Sequence, residues 1–139
     1  MKTSSIQVES RTERLIAVRD FVSEAARAFG FGDEDISKIA LAVDEACTNV
    51  IKHAYRSDPT KIIRVDVSAA DRAFEVAIRD EGAQFNPTQV HAPDMREYLT
   101  HYRRGGLGMY LMKSLMDKVE YSIVSGKANE VRLTKYLPR

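Results

Sequence analysis

The chain has almost nothing with which to cross-link itself. Of its 139 residues one is cysteine, so no internal disulfide can form. That residue, Cys47, falls on the apolar stripe of its helix, where it reads as a small buried hydrophobe. Neither sign of charge prevails: 21 Lys and Arg stand against 20 Asp and Glu, a formal net charge of +1. Bulk electrostatics therefore gives no pull toward nucleic acid or a membrane surface. No apolar run has the length of a membrane span or the form of a signal-peptide core, so the expected setting is the cytoplasm. Internal repeats, low-complexity tracts and linkers are lacking too. What is present is globular composition, 44% hydrophobic and 29% charged, at a length that suits one domain over residues 1–139.

The periodicity changes along the chain. Ile6-Gln7-Val8 alternates as a short first strand. From Thr12 to Phe29, the positions Leu15, Val18, Val22, Ala25 and Phe29 form a helical stripe, and Gly30 follows as a stop. A second helix is expected from an Asp33 N-cap to about Tyr55, with Ile36, Ile39, Ala40, Val43, Cys47, Val50 and Ala54 on one face. Ser57-Asp58-Pro59 then turns the chain. Ile63, Val65 and Val67 alternate, Ala70-Asp71-Arg72 turns, and Phe74, Val76 and Ile78 alternate again, a hairpin with one apolar face per strand. Residues 82–108 hold little periodicity, two prolines and adjacent glycines, which marks a functional or mobile loop. A third helix runs from about Leu107 to Met116. Val119, Tyr121 and Ile123 face Val131, Leu133 and Lys135 across a turn at Ser125-Gly126. Hairpins with helices on one side predict a two-layer α/β sandwich.

Three short motifs carry chemistry. Glu45 and Asn49 lie one turn apart, nearly opposite the apolar stripe. A carboxylate and a carboxamide so placed can act as a base and as an oxygen ligand for Mg²⁺. Taken alone, such a pair is usually a solvated helix face. Asp80-Glu81-Gly82 closes the second hairpin strand, where a carboxylate can accept from a donor on a planar ligand such as the adenine amine. Arg104-Gly105-Gly106-Leu107-Gly108 precedes the third helix. Its glycines and the helix N-terminus suit phosphate oxygens, and the adjacent arginines can add bidentate contacts. The run matches neither a P-loop nor the dinucleotide fingerprint.

Their order is more specific than any one of them. A helix with Glu-x-x-x-Asn, a strand-end Asp-x-Gly, a long loop and a Gly-x-Gly that opens a helix together resemble the nucleotide site of the GHKL (Bergerat-fold) ATPase/kinase superfamily. The runs Asn49-x-x-x-His53-Ala54-Tyr55 and Gly105-Gly106-Leu107-Gly108-Met109-Tyr110 look most like anti-sigma-factor serine/threonine kinases. The resemblance implies an α+β fold of that type, a mainly antiparallel sheet covered on one face by about three helices, with a lid over about 84–105.

It also implies roles. Glu45 matches the general base toward a substrate hydroxyl, and Asn49 the Mg²⁺ ligand. Asp80 matches the adenine-binding acid, with Gly82 beside it. Arg104, Gly105, Gly106, Leu107 and Gly108 match the phosphate-binding end of the lid. Two positions depart from the family pattern. Ala83-Gln84 stands where a second glycine is usual, with Phe85 shortly after, and Ala128-Asn129 replaces a Gly-Thr whose threonine helps hold adenine. Asn129 can substitute as a hydrogen-bonding group. The expected function is ATP- and Mg²⁺-dependent phosphorylation of a small antagonist protein on Ser or Thr, together with sequestration of a sigma factor by a homodimer. The alternative is a nucleotide-binding module that sequesters its partner without phosphorylating it. His91 and His101 lack partners at ligand spacing for zinc.

Overall fold

The alternation in the middle of the chain sets the layout of the sheet. In the computed structural model, which describes residues 2–82, 108–124 and 128–138, Ile63, Val65 and Val67 lie buried on strand β2 (Ile62–Ala70). Phe74, Val76 and Ile78 lie buried on β3 (Ala73–Asp80). With β1 (Lys2–Glu9), β4 (Lys118–Val124) and β5 (Ala128–Tyr136), they form a five-stranded sheet in the order β1-β2-β3-β5-β4. Every neighbouring pair is antiparallel. One apolar row crosses the whole sheet, Ile6 to Val65 to Ile78 to Val131 to Tyr121. Because side chains alternate, a slip of one residue would turn this row to the other face.

Helices cover that apolar face. A 3₁₀ turn, Thr12–Arg14, leads into α1 (Leu15–Phe29), which buries Leu15, Val18, Val22 and Ala26. The stripe matches the expected one at Leu15, Val18 and Val22, while Ala26 is buried and Ala25 and Phe29 are half-buried. Gly30 ends the helix at φ 121°, a left-handed conformation that favours glycine. Phe31 is thereby turned inward and meets the Phe74 ring edge-on, with centroids 5.7 Å apart. The next helix, α2 (Asp33–Asn49), buries Ile36, Ile39, Ala42, Val43, Ala46 and Cys47. Each large side chain of this kind stabilises the fold by about 1.5–3 kcal/mol on burial. Its N-cap is Gly32, not Asp33, and no side chain caps it. Asp33 lies one residue inside, where its carboxylate accepts from Arg27 at 2.9 Å and faces the positive helix end.

The second helix also ends differently from expectation. Regular α geometry stops at Asn49, and residues Val50–Ala54 form a π-helical turn capped by Tyr55. The Tyr55 N–H donates to the Val50 carbonyl at 2.8 Å, a bond that spans five residues. A third helix, α3 (Gly108–Leu115), packs on α2 and buries Met112. Lys135 Nζ donates to its terminal Leu115 carbonyl at 2.9 Å, placing a cation at the negative helix end. Among the described residues no helix is long and apolar enough to cross a membrane.

Candidate functional site

Asp80 is the last residue of β3 and is only 6% exposed. The pleat that buries Val76 and Ile78 carries Asp80 on the same face, one row further along. Its Oδ1 accepts two hydrogen bonds, from the Gly82 N–H and from Asn129 Nδ2, both at 2.9 Å. Asn129 is the direct register partner of Asp80 across β3 and β5. Asn129 Nδ2 also reaches the Gly82 carbonyl at 3.4 Å. Among the described residues no donor meets Oδ2. Burial raises the Asp80 pKa above the ordinary carboxylate range, and the two donors oppose that shift. The carboxylate is thus oriented by dipoles, with one oxygen left to accept.

Glu45 and Asn49 share a face of α2, and both are half-buried. Glu45 Oε2 is shielded from solvent and has no hydrogen-bond partner among the described residues. An unsatisfied buried oxygen costs about 1–3 kcal/mol, which is why such atoms tend to mark functional positions. Burial raises the Glu45 pKa, Asp44 raises it further, and Lys52 pulls it down. A carboxylate perturbed in this way is a candidate for proton transfer. Asn49 is the last residue of regular α geometry, directly before the π turn.

The end of α2 and the end of β3 meet. The Tyr55 hydroxyl accepts from the Glu81 N–H at 2.8 Å and donates to the Ile62 carbonyl at 2.7 Å. Gly82 lies so close to the π turn that a Cβ there would fall 2.3 Å from the Ala54 carbonyl oxygen. Only glycine fits. The resemblance puts Gly82 beside the adenine-binding acid, and the structure gives a packing reason for a glycine there. Tyr55 was missed: its place in the motif was noted, but nothing in the pattern foretold a bond to a strand end.

Donor chemistry bears on the metal. Among the described residues no group of three or more His, Cys, Asp or Glu side chains could hold an ion. Mg²⁺ seldom needs one, because it is commonly held by one or two protein oxygens together with phosphate oxygens. Asn49 and Glu45 offer hard oxygens of that kind. Of the residues expected at the phosphates, Gly108 opens α3, and Arg104, Gly105, Gly106 and Leu107 lie outside the described residues, as does the expected lid at 84–105. His53 stands exposed on the π turn.

A one-sided helical layer on an antiparallel sheet, with an acid at a central strand end, defines the class. The same fold occurs in a crystal structure of the RsbU and RsbW domains of a Mycobacterium tuberculosis protein, with a TM-score of 0.70 at 19% identity. That likeness covers 100% of this chain and 33% of the other, so this chain spans a third of that protein's length. A family model described as a histidine kinase-like ATPase domain matches residues 8–135. Relatives include the serine-protein kinase RsbW of Bacillus licheniformis, 33% identical over 100% of this chain and 91% of its own. RsbW of Bacillus mycoides is 30% identical over 96% and 84%. The chain belongs to the histidine kinase-like ATPase domain family, on the branch that holds the serine-protein kinases RsbW.

Proposed function

We propose that this chain is an ATP-dependent protein serine/threonine kinase that phosphorylates a small antagonist protein and sequesters a sigma factor. The observation that carries the catalytic half is Glu45 Oε2, shielded from solvent and without a hydrogen-bond partner among the described residues, on the face it shares with Asn49. A module that only binds nucleotide has no use for a raised, unsatisfied carboxylate there. The kinase names of relatives that match nearly the whole chain support the same reading.

The residues divide the work. Asp80 accepts the adenine amine through Oδ2 while Gly82 and Asn129 hold Oδ1. Arg104 to Gly108 and the start of α3 supply N–H groups and positive charge to the phosphates. Asn49 is the residue to hold Mg²⁺, which when bound neutralises phosphate charge and orients the transferring group. Glu45 takes the proton of the incoming Ser or Thr hydroxyl. Residues 1–139 serve as one domain with a lid over 84–105, acting in the cytoplasm as a homodimer, as the resemblance implies.

The test is phosphoryl transfer. Glu45→Ala is expected to keep nucleotide affinity and sigma-factor binding, and to lower transfer to the antagonist about 10²–10⁴-fold. Because burial raises the Glu45 pKa, transfer by the parent falls as pH drops through that raised value, at a higher pH than an exposed Glu would give. A parent that transfers nothing to its antagonist supports the binding module instead. Equal transfer by parent and variant removes Glu45 as the base.

A further inference from the structure

The end of α2 is joined to the end of β3 largely through one side chain, and that side chain has no part in the chemistry described above. The Tyr55 ring is 7% exposed. Its hydroxyl donates to the carbonyl of Ile62, the first residue of β2, and accepts from the N–H of Glu81, the residue after Asp80. Both partners are backbone groups at strand tips. The apolar pairs further in, Val65 with Ile78 and Val67 with Val76, do not depend on them.

Tyr55 is itself fixed from the helix side. Its N–H bonds the Val50 carbonyl at 2.8 Å, and the Ser57 N–H bonds Ile51 at 2.7 Å. The π turn therefore holds the ring in a set position relative to Asn49. On the strand side, Gly82 is pressed on Ala54, where even a methyl group would clash. The corner is thus held from two directions, by hydrogen bonds to Tyr55 and by contact with Ala54. Burial raises the Tyr55 pKa, the bond from the Glu81 N–H opposes that shift, and the Asp80 and Glu81 carboxylates add to it, so on balance the hydroxyl holds its proton more firmly than a free tyrosine and stays a donor at neutral pH.

We propose that Tyr55 is a positioning residue for nucleotide binding: its hydroxyl sets where the Asp80-Glu81-Gly82 corner stands relative to the helix end that carries Asn49. The inference rests on the nucleotide-site reading above and adds to it a residue that touches no ligand. It follows that loss of the hydroxyl loosens the base-binding corner while the sheet beneath it holds.

Tyr55→Phe keeps the ring and removes only the hydroxyl, so ADP affinity by calorimetry is expected to fall about 3- to 10-fold. Amide hydrogen exchange is expected to quicken at Glu81 and to stay unaltered at Val76. Val22→Ala supplies the comparison, because Val22 is fully buried on α1, away from the corner. That variant is expected to lose more thermal stability than Tyr55→Phe and to bind ADP as the parent does. If Tyr55→Phe binds ADP like the parent, the positioning role is overturned and the nucleotide site stands. If Val22→Ala loses as much affinity, the effect follows stability and the role is likewise overturned. A parent that binds no ADP removes the nucleotide-site reading, and this inference with it.

Discussion

Two acids on adjacent strands are equally hidden and are treated in opposite ways. Glu130 is 4% exposed and Asp80 6%. They belong to neighbouring register pairs, Arg79 with Glu130 and Asp80 with Asn129, so the pleat sends them to opposite faces of the sheet. On the face away from the described helices, Arg79 Nε meets Glu130 at 2.7 Å and Arg132 meets its other oxygen at 3.2 Å. On the helix side, the described residues give Asp80 an amide and a backbone N–H, both on one oxygen. The structural acid has a cation on each oxygen. The acid proposed for the ligand has an oxygen that no described residue meets, and it carries the cost of burial in its raised pKa.

The contrast can be broken most strongly at the ligand side. Asp80→Ala should weaken ADP binding about 10- to 150-fold by calorimetry, the range of a hydrogen bond to a charged group. Thermal stability should change little beside that loss. Nucleotide affinity equal to the parent's would put Asp80 in the same structural category as Glu130.

A smaller effect is expected on the other face. Glu130→Gln leaves Arg79 and Arg132 without their anion, but both guanidinium groups are more than a third exposed and can rehydrate. The expected loss is about 1 kcal/mol of stability, a few degrees in melting temperature, with ADP affinity unaltered. An affinity change here would mean that the two faces are coupled.

The smallest effect is the most diagnostic. A carboxyl whose folded pKa is raised stabilises the fold fully below its unfolded pKa, and loses that contribution as pH rises through the folded value. Above that raised value the burial of ionised Asp80 opposes folding, and there Asp80→Asn should raise the melting temperature slightly while ADP binding drops. The gain should vanish in acid below the ordinary carboxylate range, where parent and variant are both neutral. A gain that persists unaltered there would point to packing and not charge.

The sheet was legible because period-2 alternation survives in Ile63 to Val67 and Phe74 to Ile78, where one face is buried and the other is half-buried or exposed. The Asp80 and Gly82 positions were legible from residue type and order. The π turn was not, because Val50-Ile51-Lys52-His53-Ala54 has neither glycine nor proline and its apolar residues continue the α stripe. Asp33 misled because a first-turn acid and an N-cap acid look alike in sequence, and only the backbone of Gly32 separates them. The Asn129 bond needed the β3–β5 register, a pairing between segments 49 residues apart that local pattern cannot supply.

Cys47 has a practical consequence of a different kind. It is fully enclosed on the buried face of α2, and burial with the nearby Asp44 carboxylate pushes its thiol up to about 12. The thiolate is the reactive form, so at neutral pH this group is closed to maleimides and to peroxide alike. As the chain's single cysteine, it leaves the folded protein chemically silent toward thiol reagents. A cysteine introduced at the exposed Lys52, three positions beyond Asn49, would then take up a fluorophore alone, with no native thiol to remove first.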